Sequence, residues 1–133
     1  MDNPKRLEIK LQPHLMARVV HVGEFLRRYR FTPPEGTEST LTITVSDPHA
    51  DWNDGTFRVE LDGRGNAEVR RLNGRTADDG IRCDIQTFTA LMMGTRDARF
   101  LRAIGRLAGG AEQAERWRKA IPARTNYYLD FGR

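Results

Sequence analysis

The chain holds little of what most catalytic and metal-binding chemistry is built from. Among its 133 residues there is one cysteine, Cys83, and there are three histidines, at positions 14, 21 and 49. A single cysteine excludes an internal disulfide and a thiolate metal cluster. Its alternating neighbours Ile81 and Ile85 make Cys83 a small buried strand residue rather than a reactive thiol. The histidines show no His-x-x-x-His spacing, and no nucleophile signature surrounds them. His21 ends an apolar run and reads as a satisfied structural histidine. No Gly-rich strand-to-helix turn is present, because Gly63-Arg64-Gly65 opens a strand, so the chain lacks a nucleotide cradle of its own. Nor does any apolar run approach the roughly 20 residues that span a bilayer. A mean hydropathy of -0.64 with 38% hydrophobic residues suits a soluble chain. The segment from Met1 to Arg6 leads into no apolar core, so neither a secretory signal nor a transit helix is expected and a cytoplasmic location follows.

Charge of one sign is also missing, since the net charge is +4 and the arginines scatter. Only Arg96, Arg99, Arg102 and Arg106 form a row at helical spacing, opposite Phe100, Leu101, Ile104 and Leu107. Without interleaved aromatic residues to stack on bases, that row predicts a solvated helix face, and no nucleic-acid partner is expected.

What the chain does have is alternation. Its length suits one domain, over residues 1–133, able to bury about two-thirds of the surface exposed when unfolded. Leu7, Ile9 and Leu11 predict a short strand ending at Pro13. Met16 to Val22 predicts a strand buried on both faces and broken at Gly23. Glu24 to Tyr29 predicts a short helix with Phe25, Leu26 and Tyr29 inward, stopped by the Pro33-Pro34 loop. From Ser39 to Ser46, Leu41, Ile43 and Val45 alternate with threonines, and Phe57, Val59 and Leu61 repeat the pattern. A third strand over Ala67 to Leu72 completes an antiparallel meander, Asn73-Gly74 supplies a reversal, and Ile81, Cys83 and Ile85 form a last strand.

At Asp84 the period changes. Ile85, Phe88, Leu91 and Met92 are spaced for one helix face, with Asp84 as N-cap and Gly94 as stop. Thr95 is the expected cap of a second helix that runs on to Gly109-Gly110. A third covers about Ala111 to Ala120, with Ala114, Trp117 and Ile121 inward and Pro122 closing it. Strands first and helices after predict an α+β domain: a mostly antiparallel sheet of about five or six strands with helices packed on one face.

Two groups of residues could carry chemistry. Asp47, His49, Asp51, Asn53 and Asp54 crowd donors into one loop, but a calcium loop needs Gly sixth and Glu twelfth, where Trp52 and Arg58 stand. The loop therefore predicts no metal site, but Asx turns in which Asp47 and Asn53 bond nearby backbone and Trp52 caps the sheet edge. The second group is apolar: Phe25, Phe57, Phe88, Met92, Met93, Phe100, Leu101, Ile104 and Trp117. It suits the wall of a ligand pocket between sheet and helices, and equally the closed core of any α+β domain.

Several of these segments carry a resemblance. Arg18-Val19-Val20-His21-Val22, Asp47-Pro48 with Trp52-Asn53 and Gly55, Leu91-Met92-Met93-Gly94 and Ala103-Ile104-Gly105-Arg106, taken in order, resemble the C-terminal sterol-carrier-protein-like domain of Eis-type ("enhanced intracellular survival") GNAT N-acetyltransferases. The resemblance covers nearly the whole chain, with Asp2 to Leu7 as the joint that precedes the domain. It implies a sterol-carrier-protein-like fold and upstream GNAT domains, missing from this sequence, that bind acetyl-CoA and an amine. This chain by itself would be non-catalytic, an accessory part that shapes the acceptor site and aids homo-oligomer assembly. It also implies that the terminal carboxylate serves as general base from an aromatic residue at the position of Phe131, although here the chain runs on through Gly132 to Arg133. The alternative is a free-standing module that binds a lipid or other apolar ligand.

Overall fold

A computed structural model of the chain describes residues 9–11, 17–36, 39–72 and 80–122. In chain order the elements are β1 (Ile9–Leu11), β2 (Ala17–Val19), α1 (Val22–Arg28), β3 (Ser39–Ser46), β4 (Gly55–Leu61), β5 (Ala67–Leu72), β6 (Ile81–Asp84), α2 (Ile85–Met93), α3 (Ala98–Ala103) and α4 (Ala111–Ala120).

The threonine-apolar alternation of β3 decides the architecture, because it gives the central strand one face for the core and one for solvent. β4 pairs antiparallel with β3, setting Leu41 opposite Val59 and Ile43 opposite Phe57, and β5 pairs antiparallel with β4, setting Val59 opposite Val69. On the other side of β3 runs β6, which is parallel to it and sets Ile43 opposite Ile81 and Val45 opposite Cys83. The main sheet is thus four-stranded and mixed, in the order β5-β4-β3-β6, while β1 and β2 form a separate antiparallel pair. Among the described residues the six strands are thus split between two sheets rather than joined in one of about five or six, and the one parallel pairing is that of β3 with β6. Alternation reads the same in either direction along a strand, so it fixes which residues face inward and leaves partner and direction open.

Residues from the helices join the inner face of the sheet in one core. Phe25 and Leu26 of α1, Phe88, Leu91 and Met92 of α2, Leu101 of α3 and Trp117 of α4 are buried with Leu41, Ile43, Val59, Ile81 and Cys83. An aromatic row threads this core: Phe25 meets Phe88 edge-on with ring centroids 6.0 Å apart, Phe25 meets Tyr29 at 5.6 Å, Tyr29 meets Phe31 at 4.8 Å and Phe31 meets Trp117 at 6.4 Å. These separations lie in the range where edge-to-face and tilted ring pairs add to plain burial. The polar tips are satisfied by backbone. Tyr29 Oη donates to the Met92 carbonyl at 2.7 Å, and Trp117 Nε1 donates to the Thr42 carbonyl at 3.2 Å.

Three boundaries depart from expectation for physical reasons. α1 begins at Val22 and includes Gly23, because His21 acts as N-cap, its Nδ1 accepting the Glu24 N–H at 3.3 Å. The expected buried strand over Met16 to Val22 is accordingly only Ala17–Val19 among the described residues. α3 is six residues long and is capped by Asp97, whose Oδ1 accepts the Phe100 N–H at 2.8 Å, while Thr95 Oγ1 donates back to the Ala90 carbonyl at 3.1 Å. Its early end follows from Gly105, at φ +82, a left-handed turn after which the Arg106 N–H returns to the Leu101 carbonyl at 2.9 Å. The helix after β6 follows expectation, with Asp84 Oδ1 accepting the Thr87 N–H at 2.7 Å and Gly94 as a left-handed C-cap.

Candidate functional site

The loop between β3 and β4 is a hydrogen-bonded clamp. Asn53 is fully buried at its centre. Its Oδ1 accepts the Val22 N–H at 2.8 Å, and its Nδ2 donates to the Val20 carbonyl at 3.0 Å and to Asp47 Oδ2 at 2.9 Å. Asp47 Oδ1 accepts the His49 N–H at 3.1 Å in an Asx turn, and the Asp47 N–H bonds Asp54 Oδ1 at 2.8 Å. Trp52, itself half-exposed, donates from Nε1 to the same Val20 carbonyl at 2.9 Å. The segment Asp47-Pro48…Trp52-Asn53 therefore ties the sheet hairpin to the start of α1. Asp47 accepts from loop backbone as expected, whereas the Asn53 side chain makes no such local turn and bonds instead to Val20 and Val22, 31 residues away in sequence in the case of Val22.

Arg71 completes the clamp, a role the sequence reading missed. Its guanidinium donates to the backbone carbonyls of Asp51 at 2.9 Å and Asp54 at 2.5 Å and lies 5.8 Å from the Phe57 ring centre. The available signal was its parity in β5: position 71 falls opposite Phe57, on the strand side where an apolar residue would otherwise be expected.

Of the apolar residues considered as a pocket wall, Phe25, Phe57, Phe88, Met92, Met93, Leu101 and Trp117 are buried. Phe100 and Ile104 are not part of such a wall. They are 46% and 54% exposed, because α3 ends before Ile104 and the chain turns away at Gly105. Phe100 instead lies under the Arg96 guanidinium, 5.3 Å from the ring centre. Phe131 and Arg133, the residues tied to a terminal-carboxylate role, lie outside the described residues together with Tyr127 and Tyr128.

Titratable chemistry is sparse. Among the described residues no three of His, Cys, Asp and Glu come together to hold a metal ion. Burial pushes the Cys83 thiol well above its ordinary range, with the charge of Asp84 adding to the effect, so it stays a protonated core residue. Hydrogen bonds from Arg118, and then Arg99, hold Glu115 of α4 down at about 2. Backbone N–H groups of Arg64 and Asn66 lower Asp62, whose turn closes the hairpin between β4 and β5. Gly65 sits in that turn at φ +88, where a Cβ would come within 2.4 Å of the Phe31 carbonyl oxygen. The glycines of this segment thus serve a hairpin and a close backbone approach, and they form no phosphate cradle ahead of a helix. No helix among the described residues is long and apolar enough to cross a membrane.

The sterol carrier protein domain family matches residues 22–129. No curated protein matches the chain. Among solved structures, a protein of unknown function from Enterococcus faecalis described as a probable N-acyltransferase is 33% identical, with a TM-score of 0.73 over 80% of this chain and 26% of that one. A GCN5-related N-acetyltransferase from Anabaena variabilis is 22% identical, with a TM-score of 0.69 over 81% of this chain and 26% of that one. Eis1 from Mycobacterium abscessus is 19% identical, with a TM-score of 0.64 over 82% and 25%. The chain spans about a quarter of the length of these structures. It belongs to the sterol carrier protein domain family, and its likeness is to that domain as it occurs within GCN5-related and Eis N-acetyltransferase chains.

Proposed function

We propose that this domain is the accessory C-terminal part of an Eis-like, acetyl-CoA-dependent N-acetyltransferase. In this reading it shapes one wall of the acceptor-amine site, delivers the C-terminal tail and helps to build oligomers. The observation that carries it is the pairing of about four-fifths coverage of this chain with about a quarter coverage of chains described as N-acyl- or N-acetyltransferases. Acetyl-CoA would be held by the upstream GNAT domains. The only Gly-x-Gly turn among the described residues closes a hairpin, so this chain is assigned no step through the cofactor.

The filled core argues in the same direction. A carrier of lipids needs room between sheet and helices, whereas Phe25, Phe88, Met92 and Trp117 are at most 2% exposed and the rings pack on one another. Family membership keeps one rival reading, a free-standing module that takes up an apolar ligand.

The deciding experiment is the intact mass of the native protein in its source cells. A mass several times 15.2 kDa supports the accessory role, with acetyl-CoA turnover then expected of the full-length protein. A mass equal to it overturns that role, and displacement of a fluorescent fatty acid would then test the carrier reading directly.

A further inference from the structure

The outer face of the sheet carries an arrangement that a lone domain has no use for. In the β4–β5 ladder Glu60 lies opposite Glu68, and Arg58 lies opposite Arg70. Like charges placed directly opposite each other on one face destabilise a strand pair. Among the described residues none of the four makes an ion pair, and Arg58 Nε is buried without a hydrogen-bond partner. β5 is the terminal strand of the sheet, with β4 on one side, no described strand on the other, and α1 packed against it. Glu60, Glu68, Val69 and Arg70 line an open depression across β4 and β5.

We infer that the free edge of β5 is an interface for a second copy of this chain, paired antiparallel about a two-fold axis through Val69. Such an isologous contact sets each residue against the one whose number mirrors it about position 69. Glu68 then faces Arg70 of the partner subunit, and Arg70 faces Glu68 of the partner subunit. Each like-charge row of one copy continues into the row of opposite sign in the other, Glu60-Glu68 running into arginines and Arg58-Arg70 into glutamates. Ala67, the smallest side chain of the strand, comes opposite Arg71 and leaves room for it. Shifting the register by two residues in either direction sets Glu68 against Glu68 or Arg70 against Arg70, so charge selects one register. This pattern differs from the usual protection of sheet edges by charge. An edge of uniform sign repels its own copy in every register, whereas an alternating Glu-Arg edge is complementary to itself when antiparallel. The inference gives a surface to the assembly role proposed above.

Two substitutions test it, Glu68→Arg and Arg70→Glu. Neither threatens the fold, because each replaces a like-charge neighbour across the ladder by one of opposite sign, beside Glu60 or Arg58. Sedimentation of the full 133-residue chain at low salt should show self-association of the parent. Each variant alone sets like charges against each other at both symmetry-related positions and should associate on the order of 10-fold more weakly or less still. An equimolar mixture of the two variants sets arginine against glutamate at both positions and should regain association, with native mass spectrometry showing mixed dimers. A parent that is monomeric throughout, variants that associate like the parent, or a mixture that fails to recover would each overturn the assignment. So would a monomeric parent whose β5 amides are protected from hydrogen exchange, since another strand of the same protein would then occupy the edge. None of these results bears on the intact mass in cells, so the interface and the accessory role stand or fall separately.

Discussion

Replacing Asn53 by alanine should destabilise the domain by about 3–5 kcal/mol. The side chain is fully buried and makes three hydrogen bonds, from the Val22 N–H, to the Val20 carbonyl and to the Asp47 carboxylate. Truncation leaves the Val22 N–H without its acceptor, at about 1–3 kcal/mol, and takes from Asp47 a donor to a charged group, worth about 1.5–3 kcal/mol. The Val20 carbonyl loses less, because Trp52 Nε1 still donates to it. Against a domain stability of about 5–15 kcal/mol this is a large fraction. In urea, with a slope of about 2 kcal/mol per molar, the unfolding midpoint should fall by roughly 2 M at unchanged slope. The isosteric Asn53→Asp sharpens the test. It keeps the acceptor for Val22 and puts a second carboxylate at the position of Nδ2, next to Asp47, so one carboxyl of the folded pair titrates above its unfolded value. The resulting penalty is present above that raised pKa and disappears as pH falls through it, so this variant should recover towards the parent between about pH 7 and about pH 4. A midpoint loss under about 0.5 M for the alanine variant, or no acid recovery for the aspartate variant, would refute the view that this loop is a clamp.

Other consequences can be checked independently. Cys83, buried and with its thiol pushed up, should resist an aromatic disulfide reagent in the native state and react only as fast as the domain opens, and rapid stoichiometric labelling would contradict its placement in the core. Glu115 should titrate at about 2 by carboxyl NMR, and Arg118→Gln should move it up towards the ordinary range. Because its folded pKa is lowered, the stability it adds is present above the ordinary glutamate range and is lost as pH falls through about 2. Trp117→Phe should cost about 1–3 kcal/mol by leaving the Thr42 carbonyl without its donor. It should also remove the buried, quencher-shielded emission and leave that of the half-exposed Trp52, so emission still shielded from acrylamide would count against the assignment.

Much of this fold was legible where one residue pattern had one physical solution. The alternation from Ser39 to Ser46, repeated at Phe57 to Leu61 and Ala67 to Leu72, predicts the three-stranded meander found, and Asp84 with Gly94 brackets α2 as expected. What failed was set by contacts distant in sequence. Gly23 by its residue type predicts a break, yet a histidine cap and the Asn53 bond to Val22 start the helix before it. The arginine row at 96 to 106 looked like a helix face twice as long as α3, because periodicity says nothing of a left-handed turn at Gly105. Phe100 and Ile104 were drawn into the expected pocket by that same extrapolation. The Trp52-Asn53 pair was visible as a signature, but its meaning lay in Val20 and Val22, about thirty positions upstream.

The bonds from the end of the domain back to its beginning also order events during synthesis. Val19 N–H is met by Thr89 Oγ1, 70 residues later, and the Thr42 carbonyl by Trp117 Nε1, 75 residues later. At translation speeds of about 5–20 residues per second, the meander, complete at Leu72, waits on the order of 2 to 9 s for Trp117 to be added. Through that interval Phe31 has no indole to pack against. A nascent chain stalled short of α4 already holds β6 but leaves Phe31 and its neighbouring rings uncovered, an exposed apolar surface of the kind that makes incomplete chains prone to aggregate. α4 is thus the latch of the described domain, and chaperone demand should peak just before it emerges.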